Sequence, residues 1–401
     1  MKFKKIVGIF LASSSLLLLT ACGNNKTADS EEDKIIVWTR MENEIEVLEK
    51  YGKEFEDETG IAVDIVGEGP DVQKLAQAVN SPSGPDGLFG IPNDQLGSFV
   101  AAGLVDEVPE EKFPDEDFVD SANKATYYEK EKYAIPISVE TTTLFYNTEL
   151  IEKAPESWNE LIESSKDKGG IQFEATSIYY DYGFVRAYDG YIFKDNDGAI
   201  DTADIGLDTE GAIEGYKFIK EMQSEHNFFD STITNDIAKS NFQDGKTAFF
   251  IGGPWDMAGF DEANVPYNVS IMPTLNDKSF VTPVGTQVGF VTSKTKKAEK
   301  VWDFYDFLLK NASEELFTKG ARIPALLDAQ EKIDADDKTK VFMQQIENSE
   351  PLPTTPALGQ VWTPFIDNMK LLLDGKVTEE EAGKLITEQV QEGVKMMGAE
   401  E

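Results

Sequence analysis

Short apolar runs alternate with amphipathic stretches along most of this chain, and the alternation predicts an α/β fold. Ile35-Ile-Val-Trp38 is a run of the kind that fills a buried strand. Apolar residues then recur at Ile45, Leu48, Tyr51 and Phe55 with acids between them, the period of an amphipathic helix. Gly60 stands where a left-handed cap would end that helix, and Ile61 to Val66 forms a second apolar run. Strand, helix and strand over so short a stretch is a βαβ unit, which implies parallel strands and a right-handed crossover.

The pattern continues to the C-terminus. Val72 to Val79 reads as a helix, and the Pro- and Gly-rich segment Ser81 to Gly90 as the entry to a short strand. Tyr133–Val139 and Thr142–Tyr146 read as strands around Glu140. Ser157-Trp-Asn-Glu160 and Thr378-Glu-Glu-Glu381 are capping boxes that open helices. A helix starts at Asp208, with Ile213, Tyr216 and Ile219 inward. A strand runs from Lys246 to Gly252. Ala298, Val301, Trp302, Tyr305, Leu308 and Leu309 mark one face of another helix. No internal repeat interrupts this order.

The first 33 residues differ in kind. Lys2, Lys4 and Lys5 precede an apolar stretch from Ile6 to Leu19, too short for a stable membrane span and suited to a signal peptide. Leu19-Thr20-Ala21-Cys22 resembles a bacterial lipobox. The expectation is cleavage after residue 21, lipidation of Cys22, and a flexible polar tether over 22–33. The protein would then sit on the outer face of a bacterial cell membrane, held by acyl chains.

Composition removes several function classes. Cys22 is the only cysteine and His226 the only histidine, so Cys/His catalysis, intrachain disulfides and the usual zinc sites are out. A formal net charge of −37 repels nucleic acid and anionic lipid alike. His226 sits in a polar segment and is expected to be solvated. Asp195-Asn-Asp-Gly198 lacks the remaining ligands of a calcium loop and reads as a hairpin turn. No phosphate-binding glycine loop or nucleophile elbow occurs, and no cofactor is expected. Paired carboxylates are plentiful among 74 acids, so a secreted glycosidase stays open as a rival, as does a glycan adhesin.

Aromatic residues in loop-like surroundings are the remaining feature. Tyr179, Tyr180 and Tyr182 surround Asp181; Trp255 follows Gly252-Gly-Pro254; Trp362 follows a turn-rich stretch. Flat rings stack on the C–H faces of sugars, and carboxylates accept strong hydrogen bonds from sugar hydroxyls.

At Gly252-Gly-Pro-Trp-Asp256 the chain resembles the maltose/maltodextrin-binding proteins of ABC sugar importers, extracellular solute-binding family 1. Glu54-Phe-Glu-Asp-Glu-Thr-Gly60, Gly84-Pro-Asp86, Ala134-Ile-Pro-Ile-Ser-Val-Glu140, Leu144-Phe-Tyr-Asn147, Ser157-Trp-Asn-Glu-Leu161 and Asp204-Ile-Gly-Leu-Asp208 carry the likeness from Lys34 onward. The resemblance implies a two-lobed periplasmic-binding-protein-like fold of type II. Residues 34–138 with 285–322 would form one lobe and 139–284 with 323–401 the other, with sugar between them. It implies a monomer that passes maltodextrins to a membrane permease; other oligosaccharides, including cyclodextrin, galacto- and xylo-oligosaccharides, are the alternatives. It assigns stacking to Trp255, Trp362, Tyr179, Tyr180 and Tyr182, and hydroxyl binding to Glu42, Asp94 and Glu140, with Arg40 nearby. Asn43, Gln95 and the lack of tryptophan at Ile91 depart from the family pattern and alter the first-lobe half of the site.

Overall fold

The computed structural model describes residues 34–109, 111–196 and 199–397; Cys22 and the tether lie outside them. Strand β1 (Lys34–Thr39) pairs in parallel with both β2 (Ala62–Gly67) and β3 (Gly87–Pro92). Helix α1 (Ile45–Thr59) connects β1 to β2, with Val47, Leu48, Tyr51 and Phe55 buried. Gly60 takes φ +80° at its end, and its amide donates to the Glu56 carbonyl at 2.8 Å. The expected βαβ unit is therefore present.

Most of the remaining pairings in this sheet are antiparallel. Strand Thr282–Val291 runs antiparallel to β3, and Ile135–Glu140 runs antiparallel to it in turn. Ile323–Pro324 closes the order, and Ser349–Pro351 joins the start of the Thr282 strand. The reversal has a topological cause: Thr282–Val291 enters from the second lobe, so it meets β3 head to tail. Ala325 still donates its amide to the Ile137 carbonyl, so the chain stays with this sheet past the boundary expected at Arg322.

A second sheet has the order Tyr267–Ser270, Thr143–Asn147, Phe249–Gly252 and Ile171–Gln172. Its core centres on Trp158, fully buried with its ring centroid 4.8 Å from that of Phe184. In the first lobe Phe55 packs on Phe304 and Phe307 at 5.2 and 5.4 Å. Burial of each such ring contributes about 1.5–3 kcal/mol.

Both predicted caps exist, one of them altered. Thr378 and Glu381 form the reciprocal box, each side chain accepting from the other's amide at 3.2 and 2.9 Å. Ser157 accepts from the Glu160 amide, but the Glu160 carboxylate takes the amide of Glu156 instead. His226 is half-buried rather than solvated, stacked on Phe228 with centroids 5.3 Å apart. Phe193–Asn196 and Ala199–Ile205 form the expected antiparallel hairpin; its turn residues Asp197 and Gly198 lie outside the described residues.

Candidate functional site: a cleft between two sheet edges

Strand direction collects one set of side chains at a single edge of the first sheet. The parallel strands β1 and β3 end there, at Arg40–Glu42 and at Asn93–Gln95. Ile135–Glu140 runs the same way and ends there at Glu140, and its antiparallel neighbours bring Gln287 and Arg322 to the same edge, because Gly285 pairs with Glu140 and Ile323 with Val139. Open α/β sheets bind ligands at such carboxyl ends.

Glu140 is held from two sides. Its Oε1 accepts from Gln287 Nε2 at 3.3 Å and its Oε2 from Arg322 Nη1 at 3.1 Å. Asp94 has one oxygen buried without a partner. Burial pushes the Asp94 carboxyl up, while the Arg40 charge and the local amides pull it down. Arg40 itself is exposed and lies against Gly69, where a β-carbon would come within 2.9 Å of its Nε. Glu42 and Asn43 are exposed, Ile91 is fully buried, and Gln95 is half-buried.

The second lobe presents aromatic residues at its facing edge. Strand Phe249–Gly252 ends in Gly253, the cap of helix Pro254–Glu262. Asp256 stabilises this turn: Oδ2 accepts from the Gly253 amide at 3.1 Å and Oδ1 pairs with Lys239 at 2.7 Å. The Trp255 indole folds over Gly253, so closely that a β-carbon there would sit 2.2 Å from the ring. Trp255 remains 39% exposed.

Tyr179, Tyr180 and Tyr182 do not lie in a loop. They sit on helix Ile178–Ala187, which follows strand Ile171–Gln172. Tyr179 and Tyr180 are half-buried, their rings edge to face at 5.3 Å. Burial, with Glu140 close by, raises the Tyr179 hydroxyl well above its ordinary pKa. Burial and the carboxylates of Asp256, Glu174 and Asp236 do the same for Tyr180. Tyr179 thus feels the charge of Glu140, and Tyr180 that of Asp256.

Tyr182 departs from the expected stacking role. It is buried, and its hydroxyl donates to Glu350, which Arg186 Nε also reaches at 2.5 Å. Its hydroxyl ties the helix to the crossing segment Ser349–Pro351. Trp362 opens helix Trp362–Leu373, half-buried against the second-lobe core. The turn before it, at Pro356, packs against Gly97 of the first lobe.

Three segments cross between the sheets, and their hydroxyls meet. Thr141 and Thr282 are 2.7 Å apart, Thr282 and Ser349 2.6 Å, and Thr141 also donates to the Pro283 carbonyl at 2.8 Å. Sequence reading missed this cluster, together with Glu44, Arg186, Arg322 and Glu350. A usable signal existed: the chain has only three arginines, Arg40, Arg186 and Arg322, and each lies beside an acid at the cleft or a crossing. Glu44 offered none, since it stands in an acidic stretch that looks solvent-exposed.

A family model described as bacterial extracellular solute-binding protein matches residues 50–343. The chain belongs to this family. Relatives of this solute-binding protein include the galactooligosaccharide-binding protein of Bacillus subtilis, 28% identical over 95% of this chain and 96% of the relative. The maltodextrin-binding protein MdxE of the same organism is 29% identical over 90% of each. A maltooligosaccharide ABC transporter solute-binding lipoprotein of Streptococcus pneumoniae is 29% identical over 98% of each. Among solved structures, a cyclo/maltodextrin-binding protein complexed with maltotetraose superposes with TM-score 0.85 at 26% identity, covering 92% of this chain and all of that one. The maltose-maltodextrin binding protein of Alicyclobacillus acidocaldarius gives 0.80 at 28% identity, covering 89% and all of that chain. The fold of this solute-binding protein is accordingly the two-lobed, periplasmic-binding type. No helix among the described residues is long and apolar enough to cross a membrane, and no group of three or more of their His, Cys, Asp and Glu side chains is arranged to hold a metal ion.

Proposed function

We propose that this protein is the lipid-anchored receptor of an ABC importer that takes up maltodextrin-type oligosaccharides. Sugar binds between the lobes, with Trp255, Trp362, Tyr179 and Tyr180 offering ring faces. Glu42, Asp94 and Glu140, with Arg40, meet the hydroxyls. Contacts on both lobes favour the closed form, which docks on the membrane permease and releases its cargo unaltered. No covalent step is part of this reading, and the protein acts as a monomer.

One observation supports it: at the carboxyl edge of the first sheet the Glu140 carboxylate is fixed by Gln287 and Arg322, while Trp255 of the second lobe leaves part of its ring uncovered. The maltodextrin-binding relatives support the substrate class, and the streptococcal lipoprotein supports the anchor at Cys22. The unpartnered oxygen of Asp94 is what a ligand hydroxyl would satisfy.

A thermal-shift screen of residues 23–401 against maltotriose, maltotetraose, cyclodextrin, galacto- and xylo-oligosaccharides tests the reading. A ligand that binds only the native state raises the melting temperature. Maltodextrins are expected to give the largest rise. A larger rise with galacto-oligosaccharides would reassign the sugar, and no rise with any of them would remove the sugar-binding role. Release of reducing ends from maltoheptaose would reveal a glycosidase instead.

A further inference from the structure

Arg322 occupies a position built for a forked side chain. It follows helix Ser313–Gly320 and precedes strand Ile323–Pro324 at the cleft edge of the first sheet. Its Nε donates to Glu44 Oε1 at 2.7 Å while Nη1 donates to Glu140 Oε2 at 3.1 Å. Glu44 is buried, and its second oxygen has no partner. A buried carboxylate without a cation is costly, so Arg322 is anchored there.

The backbone around it is shaped for this contact. Gly320 admits no side chain, because a β-carbon would fall 1.8 Å from Glu44 Oε1. Ala321 takes φ +51°, a left-handed conformation unfavourable for an alanine, at the end of the helix and directly before Arg322. On the far side, Gly285 lies under Glu140, where a β-carbon would come within 2.9 Å of Glu140 Cγ, and Gln287 fixes Glu140 Oε1. The remaining basic side chains, His226 and the arginines apart, are lysines. A lysine ammonium is a point charge; only a planar guanidinium presents two N–H groups in fixed directions to two carboxylates.

We propose that Arg322 is a positioning residue for the cleft: seated on buried Glu44, it holds the Glu140 carboxylate in the orientation that accepts sugar hydroxyls. The proposal rests on the sugar-binding reading above. Arg322 acts through Glu140, so its removal matters only while Glu140 is a carboxylate. It also links Glu44, which follows β1, to the first crossing, so ligand on Glu140 is sensed by the first lobe without direct contact.

Calorimetric titration with maltotriose of four forms of residues 23–401 tests this: wild type, Arg322→Lys, Glu140→Gln and the double variant. Arg322→Lys keeps the charge and loses the fork. Each single change is expected to weaken binding by about tenfold or more, and the double variant to bind within about threefold of Glu140→Gln. A merely structural role would weaken both backgrounds equally, and such multiplying losses would overturn the proposal. Wild-type affinity in Arg322→Lys would overturn it as well. Should Arg322→Lys fail to fold, the paired change Glu44→Gln with Arg322→Gln removes both buried charges together, with the same expected loss. Wild type that binds maltotriose while Glu140→Gln is unaffected overturns the positioning role alone. Wild type that binds no oligosaccharide overturns the sugar-binding reading and this inference together.

Discussion

Thr141 and Thr282 meet from two different chain crossings with their hydroxyl oxygens 2.7 Å apart. Ser349 of the third crossing completes the contact, and the Gln345 amide reaches Thr282 at 3.3 Å. All three connections between the lobes are thus hydrogen-bonded at one buried point, beside Glu140 and at the base of the cleft.

Thr282→Val is therefore expected to destabilise the protein by about 1–3 kcal/mol, because the change leaves buried polar partners unsatisfied. Urea unfolding of the variant measures it. A loss below about 0.5 kcal/mol would mean that the cluster adds nothing to the tie between crossings.

The two tryptophans Trp255 and Trp158 should separate binding from stability. Trp255→Ala is expected to weaken maltodextrin binding at least about tenfold with little change in melting temperature, since the ring lies over Gly253 at the surface, outside the packed core. Trp362→Ala should also weaken binding about tenfold, with some loss of stability from its packed side. Trp158→Ala removes a fully buried ring and is expected to cost about 3–5 kcal/mol of stability. Fluorescence titration and thermal melting of the three variants check this; unchanged binding in both Trp255→Ala and Trp362→Ala would exclude the assigned site.

Asp181 gives a pH signature. It is fully buried on the tyrosine helix, neither oxygen has a partner, and burial with Glu174 nearby holds its carboxyl well above the usual range. The folded state thus keeps a proton there that the unfolded chain gives up. Stability from this group is complete below the unfolded value and is lost as pH rises through the folded one. An amide at the same position stays neutral without taking up a proton. Asp181→Asn should therefore raise the melting temperature at pH 8 and lose that advantage toward pH 4. Melting curves of both proteins over this range decide it; a variant less stable than wild type at pH 8 would contradict the assignment of a buried, protonated carboxyl.

Cys22→Ala in full-length protein expressed in a bacterial host is expected to move the protein from the membrane fraction to the medium or periplasm. Metabolic labelling with palmitate should mark wild type and leave the variant unmarked. Label retained by the variant would show that Cys22 is not the lipidated residue.

Much of the fold was legible because the relevant signals are local. The apolar run at Ile35–Trp38, the period from Ile45 to Phe55 and Gly60 as cap give β1, α1 and its end directly. Strand order was not legible: Thr282–Val291 runs against Gly87–Pro92 and Ile135–Glu140 because the chain returns from another lobe, a fact that no local period encodes. In the site, exposed Trp255 could be read from the glycines before it. Tyr182 could not be told from Tyr179, because what separates them is a distant partner, Glu350, which takes the Tyr182 hydroxyl. Glu44 and Glu350 were hidden among 74 acids and became visible only through their arginine partners.

A crystal structure of residues 23–401 grown with maltotriose tests the central claim most directly. Sugar is expected between the lobes, with a ring of the ligand against Trp255 and hydroxyls donating to Glu140. Sugar bound outside the cleft, or an empty cleft in crystals saturated with maltodextrin, would contradict that claim.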